Sequence, residues 1–412
     1  MIDLTDEQRG AVSLVVDGAP RLACLTGGPG TGKTTTLREL LGAADAAGLR
    51  SACAAPSGKA AMRLEEATGR QAATLHRLMR ARPGSREWAP IMADLLVVDE
   101  ASMVDSPLMA ATLGAAAAGR VRTVLLVGDA DQLPPVGPGQ PFHDLLAARA
   151  CPSVRLTQIH RQAADSGIVQ AAHAIRRGEA PEFNDADFRF VSCDELDQIP
   201  AACWDVAQSF GLDPDASQVL APQRNTGGGV EAICDHFERS RPDDFAGGPE
   251  LVRDVFRAGT KVINKKNDAK RGIFNGELGW VLEAQAGRSP GKDRLLVQVG
   301  APDDRGRLPE HEFKGAGIKA LRSAWALTVH STQGSQWDDV VVVAHKAHTR
   351  MLTRRLFYVA ATRAARRVWV VGQLEAVERA VGNVNDARRA TWLGQRFARD
   401  KAARAARQEL GR

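Results

Sequence analysis

The sequence lacks any apolar run long enough to cross a membrane. A membrane-spanning helix needs about 20 consecutive apolar residues, and the apolar runs here are strand-sized. The N-terminus, MIDLTDEQRG, has no basic start followed by an apolar stretch, so no secretory leader is read from it. Cysteine is sparse and unpatterned: Cys24, Cys53, Cys151, Cys193, Cys203 and Cys234 form no C-x-x-C pair and no His/Cys cluster with metal-ligand spacing. These absences speak against a disulfide scaffold, a structural zinc module and a membrane partner. A reduced cytoplasmic protein with free, mostly buried thiols is expected. No solenoid-length repeat and no long low-complexity segment is present.

What is present is a chain of 412 residues, 44% hydrophobic and 25% charged, enough for two or three soluble domains. Lys and Arg number 54 against 49 Asp and Glu, so the net charge is +5. That balance leans towards a polyanionic partner, although solubility alone tolerates it. From Arg379 onward, nine basic residues face three acidic ones, so this tail carries more charge than the whole chain nets. Trp392, Leu393 and Phe397 could seat one face of it on the body; the same tail also reads as a solvated basic helix.

Short, solidly apolar runs recur at Leu22–Thr26, Leu95–Val98, Val124–Val127, Val219–Ala221, Val340–Ala344 and Val368–Val371. Strands buried on both faces of a parallel sheet have this texture. Ala-rich helical stretches such as Thr35–Ala47 and Met109–Ala118 lie between them, so the expected class is α/β. The runs fall into an early and a late group, which predicts two α/β domains. From Lys261 to about Phe313 the pattern changes to alternation with turn pairs such as Asn275-Gly276, predicting a small all-β insertion.

The segment LACLTGGPGTGKTTTL (22–37) runs an apolar strand into Gly27-x-x-x-x-Gly32-Lys33-Thr34 and then a helix. That is a P-loop in its strand–loop–helix context. Gly28, Pro29, Gly30, Thr31 and Gly32 would form the loop, whose glycines let the backbone wrap closely so that amide N–H groups can face phosphate, with Thr35 following in the first helical turn. Lys33 would reach the β- and γ-phosphates of ATP, and the Thr34 hydroxyl would hold Mg²⁺. LLVVDEAS (95–102) ends a buried strand in Asp99-Glu100. Asp99 would hold Mg²⁺ through water, and Glu100 is the candidate base for the attacking water. VLLVGDADQLPPV (124–136) ends another strand near Gln132, a candidate γ-phosphate sensor.

The ordered set of motifs resembles the RecD-like and Dda-like helicases, in the 5′→3′ branch of helicase superfamily 1. The resemblance runs from Leu4 to about Gly372. It implies two RecA-like P-loop domains with parallel sheets and an SH3-like β-barrel at 261–313. By resemblance, Gln8 in LTDEQRGAV reads adenine. AAPSGKAAMRL and TLHRL supply single-strand contacts, with Pro56, Ser57, Lys59, Thr74 and His76 as candidates. Arg161 in RLTQIHRQ reaches the γ-phosphate; His160 stands where the family often has an aromatic residue. WALTVHSTQGSQWDDVVVV links DNA to nucleotide through Thr328, His330 and Ser331, and its STQG has one positive charge fewer than the commoner KSQG. Arg363 in LFYVAATRAARRVWVVG is the implied arginine finger. The individual hydroxyls and histidines also read as local caps.

The resemblance further implies a first domain over 1–180, a second over 181–260 and 314–412, and a duplex-splitting pin at 79–93. In that pin Trp88 would cap the last base pair or serve as a packing residue. In the insertion, Lys265, Lys266, Lys270 and Arg271 would draw in phosphate or form a charged turn. The implied function is ATP-driven 5′→3′ translocation on single-stranded DNA and at junctions, by a monomer close to Dda in size. No nuclease carboxylate cluster is read. The alternatives are a motor subunit that depends on recombination or replication partners, an RNA or RNA–DNA helicase, and a non-unwinding ATP clamp.

Overall fold

The computed structural model describes residues 4–80, 88–158, 166–241, 252, 255–268, 270–300, 307–385, 393, 395–397 and 399. The chain divides into two units, one of 1–176 with 384–412, the other of 177–383.

In the first unit six strands form one sheet. They are β1 (Leu22–Gly27), β2 (Ser51–Ala55), β3 (Ala72–Thr74), β4 (Leu95–Val98), β5 (Thr123–Gly128) and β6 (Ser153–Leu156). Their order is β3-β2-β4-β5-β1-β6, and every pairing is parallel. Side chains alternate between the faces. Leu25, Val97, Leu125 and Val127 pack with Leu37, Leu40 and Leu41 from the helix Lys33–Ala46. Cys24, Leu96, Val98 and Leu126 face the other way, against Met109, Ala115 and Phe142. Each fully buried leucine contributes roughly 1.5–3 kcal/mol. Both faces are covered, which explains the solidly apolar strands.

The second unit carries β7 (Phe188–Ser192), β8 (Ser217–Ala221), β14 (Ala326–Thr328), β15 (Trp337–Ala344) and β16 (Ala364–Gly372). They lie in the order β14-β8-β15-β16-β7, again parallel throughout. Between β8 and β14 comes an antiparallel sheet of β9 (Lys261–Asn264), β10 (Leu278–Gln285), β11 (Arg294–Val299), β12 (Glu310–Lys314) and β13 (Leu321–Ser323). It has its own core, including Val262, Val281, Leu295, Val297 and Phe313.

Two boundaries differ from expectation. The β insertion extends past 313, because Leu321 pairs with Asn264 and adds β13 to its edge. The C-terminal segment from Val384 groups with the first unit, not the second. Its Phe397 packs, partly buried, on the first unit's core.

The insertion is held to the second unit's α/β body by a buried polar hub. Glu238, on the helix Val230–Ser240, accepts hydrogen bonds from Arg241 (2.8 Å), Arg257 (3.0 Å) and the Thr260 hydroxyl (2.9 Å) through one oxygen. Its other oxygen accepts from the Trp325 indole at 2.7 Å. Lys261 donates to the carbonyls of Pro214 (2.5 Å) and Ser217 (3.0 Å), and Trp280 donates to Asp215. The rings of Trp280 and Trp325 meet edge to face, 5.7 Å apart. Removing one partner from a buried ionic network strands the others without water. Glu238→Ala should therefore destabilise the second unit by about 3–5 kcal/mol. Urea unfolding monitored by tryptophan fluorescence reads this directly; a loss no larger than that of a surface carboxylate would refute the hub.

Candidate nucleotide and nucleic-acid site

The candidate nucleotide residues sit on three adjacent strands. The P-loop follows β1, Gln132 follows β5 and the Asp99-Glu100 pair follows β4, the order in the sheet being β4-β5-β1. Because all three strands run parallel, their C-terminal ends share one edge, where open α/β sheets bind ligands.

The loop's shape comes from its glycines. Gly30 and Gly32 have φ of 72° and 79°, left-handed conformations that cost glycine little. Thr31 is buried, and its hydroxyl donates to the Gly28 carbonyl at 2.8 Å. Pro29 lies between Gly28 and Gly30 in this turn. The Lys33 ammonium bridges the Gly27 and Gly28 carbonyls at 2.6 and 3.0 Å, across the loop's mouth. Helices after β2, β3 and β4 are capped by the side chains of Ser57, Thr74 and Asp105. The helix starting at Lys33 has no side-chain cap, so its leading amides are available to an anion. Thr34 is exposed on its first turn, beside the half-buried Thr35.

Asp99 and Glu100 are adjacent carboxylates at the end of a buried strand. Burial first, then the charge of Glu100, pushes the Asp99 carboxyl up to about 7, against the opposing pull of the Glu100 amide and Lys33. Glu100 occupies the left-handed region with φ of 50°, a conformation uncommon outside glycine. Adjacent carboxylates and the Thr34 hydroxyl of the P-loop are hard oxygen donors, the kind that suits Mg²⁺. A cation there would relieve the repulsion that raises Asp99. No group of three or more His, Cys, Asp or Glu side chains poised for a metal exists among the described residues. Magnesium at Thr34 and Asp99 would thus complete its shell from water and phosphate.

Gln132 is buried after β5. Its loop is tied to β1 by the Ala130 amide, which donates to the Thr26 hydroxyl at 3.3 Å. Asp131 in the same loop pairs with Arg155 and Arg176 at 3.2 and 3.5 Å. Gln8 is fully buried and closes a capping box with Thr5, its carbonyl oxygen accepting the Thr5 amide at 2.9 Å. This contact orients the Gln8 amide group. Arg161 and His160 lie outside the described residues.

One tether had no signal in the sequence. Glu7 accepts the Thr157 and Gln158 amides, at 2.7 and 3.3 Å, and the Thr157 hydroxyl. Burial would raise its carboxyl, but these hydrogen bonds win and hold it below the usual carboxylate range. The N-terminal helix is thereby fixed to the chain that leads from β6 towards Arg161.

The candidate strand contacts of the first unit lie on the same edge, at the ends of β2 and β3. Ser57 accepts the Ala60 amide at 3.2 Å, and Thr74 accepts the Arg77 amide at 3.1 Å, so both hydroxyls act as caps. Pro56 and Lys59 flank Ser57 half-buried, and His76 is exposed. Trp88 is half-buried against the core, with its ring 6.2 Å from that of His76. Of the pin at 79–93, positions 81–87 lie outside the described residues.

In the second unit, Thr328, His330 and Ser331 lie at and just after the end of β14. The Thr328 hydroxyl donates to the Ser331 hydroxyl at 3.2 Å, and Ser331 donates to the Thr328 carbonyl at 2.8 Å. The chain then returns to the start of β15 through Ser335. There the buried Arg363 guanidinium donates to the Ser335 carbonyl at 3.1 Å and to that of Val359 at 3.3 Å. One short segment therefore touches both the candidate DNA residues and the candidate arginine. In the insertion, Lys265 is drawn down by burial, then by the charges of Arg224 and Arg322.

Comparison with known proteins fits this geometry. An AAA domain family matches residues 3–191, and a UvrD-like helicase C-terminal domain matches 323–371. The RecBCD enzyme subunit RecD of Mycolicibacterium smegmatis is 32% identical over 95% of this chain and 75% of its own. The chain belongs to the RecD-like helicase family. The ATP-dependent RecD2 DNA helicase of Deinococcus radiodurans is 41% identical over 90% of this chain, which spans about half (50%) of that relative's length. A Bacteroides Pif1 helicase, solved with ADP-AlF3 and ssDNA, has the same fold at a TM-score of 0.55 and 21% identity, over 98% of both chains. Two parallel α/β units of this kind fit RecA-like domains.

The tightest point of the site yields a prediction. A Cβ on Gly27 would lie 2.5 Å from the Thr31 hydroxyl and 3.1 Å from the Leu156 carbonyl oxygen. Overpacking of this kind costs about 1–3 kcal/mol, so Gly27→Ala should weaken nucleotide binding by about tenfold or more. Titration with a fluorescent nucleotide checks it; unchanged affinity would mean that the loop yields without cost.

Proposed function

We propose that this chain is an ATP-hydrolysing motor that moves 5′→3′ on single-stranded DNA and opens duplex at junctions. The observation that carries the reading is the shared edge of the first sheet. The phosphate loop, acidic pair and buried glutamine occupy the ends of β1, β4 and β5, while the candidate strand-contact loops occupy the ends of β2 and β3. Nucleotide and nucleic acid would then bias the same rigid sheet.

In this reading the loop from Gly28 to Gly32 wraps the phosphates, Gln8 reads adenine, and Lys33 leaves its loop carbonyls for phosphate oxygens. Thr34 and Asp99 would hold Mg²⁺, which would supply charge neutralisation for phosphoryl transfer. Glu100 orients and deprotonates the attacking water. Gln132 and Arg161 sense the γ-phosphate, and Arg363 stabilises the transition-state charge. The hydroxyls and backbone of Thr328 and Ser331, with Pro56, Ser57, Lys59, Thr74, His76 and His330, grip the DNA backbone without reading sequence. The all-β insertion is read as an SH3-like barrel lying along the strand, and 79–93 as the pin. The half-buried setting of Trp88 supports an anchoring role at the pin's base. The chain is taken to work as a monomer in the cytoplasm.

The test is ATP-dependent unwinding of a short duplex with a 5′ or a 3′ single-stranded tail. Unwinding of the 5′-tailed substrate alone, abolished by Lys33→Ala, is expected. DNA-stimulated ATP hydrolysis without unwinding would favour a partner-dependent subunit, and stronger stimulation by RNA of equal length would move the substrate class. Within the same reading, Arg363→Ala should retain ATP binding and lose about 10³-fold in turnover. Unimpaired hydrolysis would remove Arg363 from the mechanism.

A further inference from the structure

Cys24 and Cys151 meet across the edge of the first unit's sheet. Cys24 is buried in β1, three residues before Gly27, and Cys151 is half-buried in the turn that enters β6. Their sulfur atoms are 3.5 Å apart. The Cys24 amide donates to the Pro152 carbonyl at 3.0 Å, so the two backbones are tied beside the sulfurs. The other four cysteines are all buried.

We propose that Cys24 and Cys151 form a dithiol oxidation site, which a hydroperoxide converts reversibly to a disulfide. Cys151 is the accessible member and reacts first. Its thiolate attacks one peroxide oxygen, the O–O bond breaks, and Cys151 sulfenic acid and hydroxide result. The Cys24 thiol then attacks the Cys151 sulfur, the S–OH bond breaks, and water leaves as the S–S bond forms. Two thiols and one hydrogen peroxide thus give one disulfide and two waters.

A disulfide needs its sulfurs at about 2.05 Å, so they must close by roughly 1.5 Å. Cys151 lies in a turn with one side open, where a rotation can supply that movement. The hydrogen bonding supports the order of attack. The contact between the two thiols holds Cys151 below its ordinary range. The same contact, then burial, pushes the Cys24 thiol up. The product would staple β1, which carries the P-loop, to β6, which leads to the Glu7 tether. It would also close most of the first unit into one covalent loop, restricting its unfolded state.

The experiment treats the full chain with hydrogen peroxide and counts thiols with an aromatic disulfide reagent. Of the six cysteines, two should be lost per chain and recovered with dithiothreitol. A non-reducing peptide map should join the Cys24 and Cys151 peptides. The thermal midpoint should rise by at least about 5 °C. Cys151→Ser, on the open side of the turn, should give neither cross-link nor shift, and Cys24→Ala should leave Cys151 to advance to sulfinic acid. Sulfinic acid at Cys151 in the unmodified chain with no linked peptide would overturn the proposal, as would a cross-link between any other pair.

Discussion

Parallel pairing of every strand in the two α/β sheets dictates the rest of the architecture. A parallel strand must return across the sheet through a helix or long loop, so the helices end up on both faces. The strands become apolar throughout, and the polar chemistry is displaced to their ends. In the first unit the loops after β1, β4 and β5 must therefore emerge side by side, although β1 ends at Gly27 and β5 only at Gly128. An antiparallel sheet would scatter the same loops between two edges.

That constraint also explains which parts could be read from sequence. Buried parallel strands such as Leu95–Val98 announce themselves, because four consecutive apolar residues between polar flanks have few other uses. The strands SACAA and AAT do not, since alanine favours helices and both lie towards the sheet's edge. β13 escaped for another reason: its three residues are paired only through contact with Asn264, Ile263 and Val262, far away in the chain. The placement of the tail depended on a partner surface for Phe397, which no local pattern reveals.

The candidate site was legible where chemistry imposes a fixed spacing. A phosphate cradle needs glycines where the backbone turns left-handed, so Gly30 and Gly32 are recognisable in any context. The supporting contacts obey no such rule. Glu7 meets Thr157 across 150 residues of sequence, and Arg363 meets Ser335 across 28. Each pairing needs only a carboxylate or a carbonyl at the right point in space. Thr74 and Ser57 illustrate the converse. Their identity is explained by capping alone, so a nucleic-acid role for them would rest on position at the sheet edge, with the backbone and neighbouring groups making the contacts.

The site carries local cost that ligands would relieve. Glu100 holds a left-handed backbone, Asp99 is a half-buried acid beside another acid, and the helix at Lys33 begins without a cap. The helices after β2 and β4 begin with side-chain caps, whereas the helix Pro141–Ala147 after β5 also begins without one, and the apolar strands below them are tightly packed. A fold optimised for stability alone would replace Asp99 with a neutral residue and cap the helix with serine or aspartate. Keeping uncompensated groups on one edge means that binding energy from phosphate and cation can be expressed there.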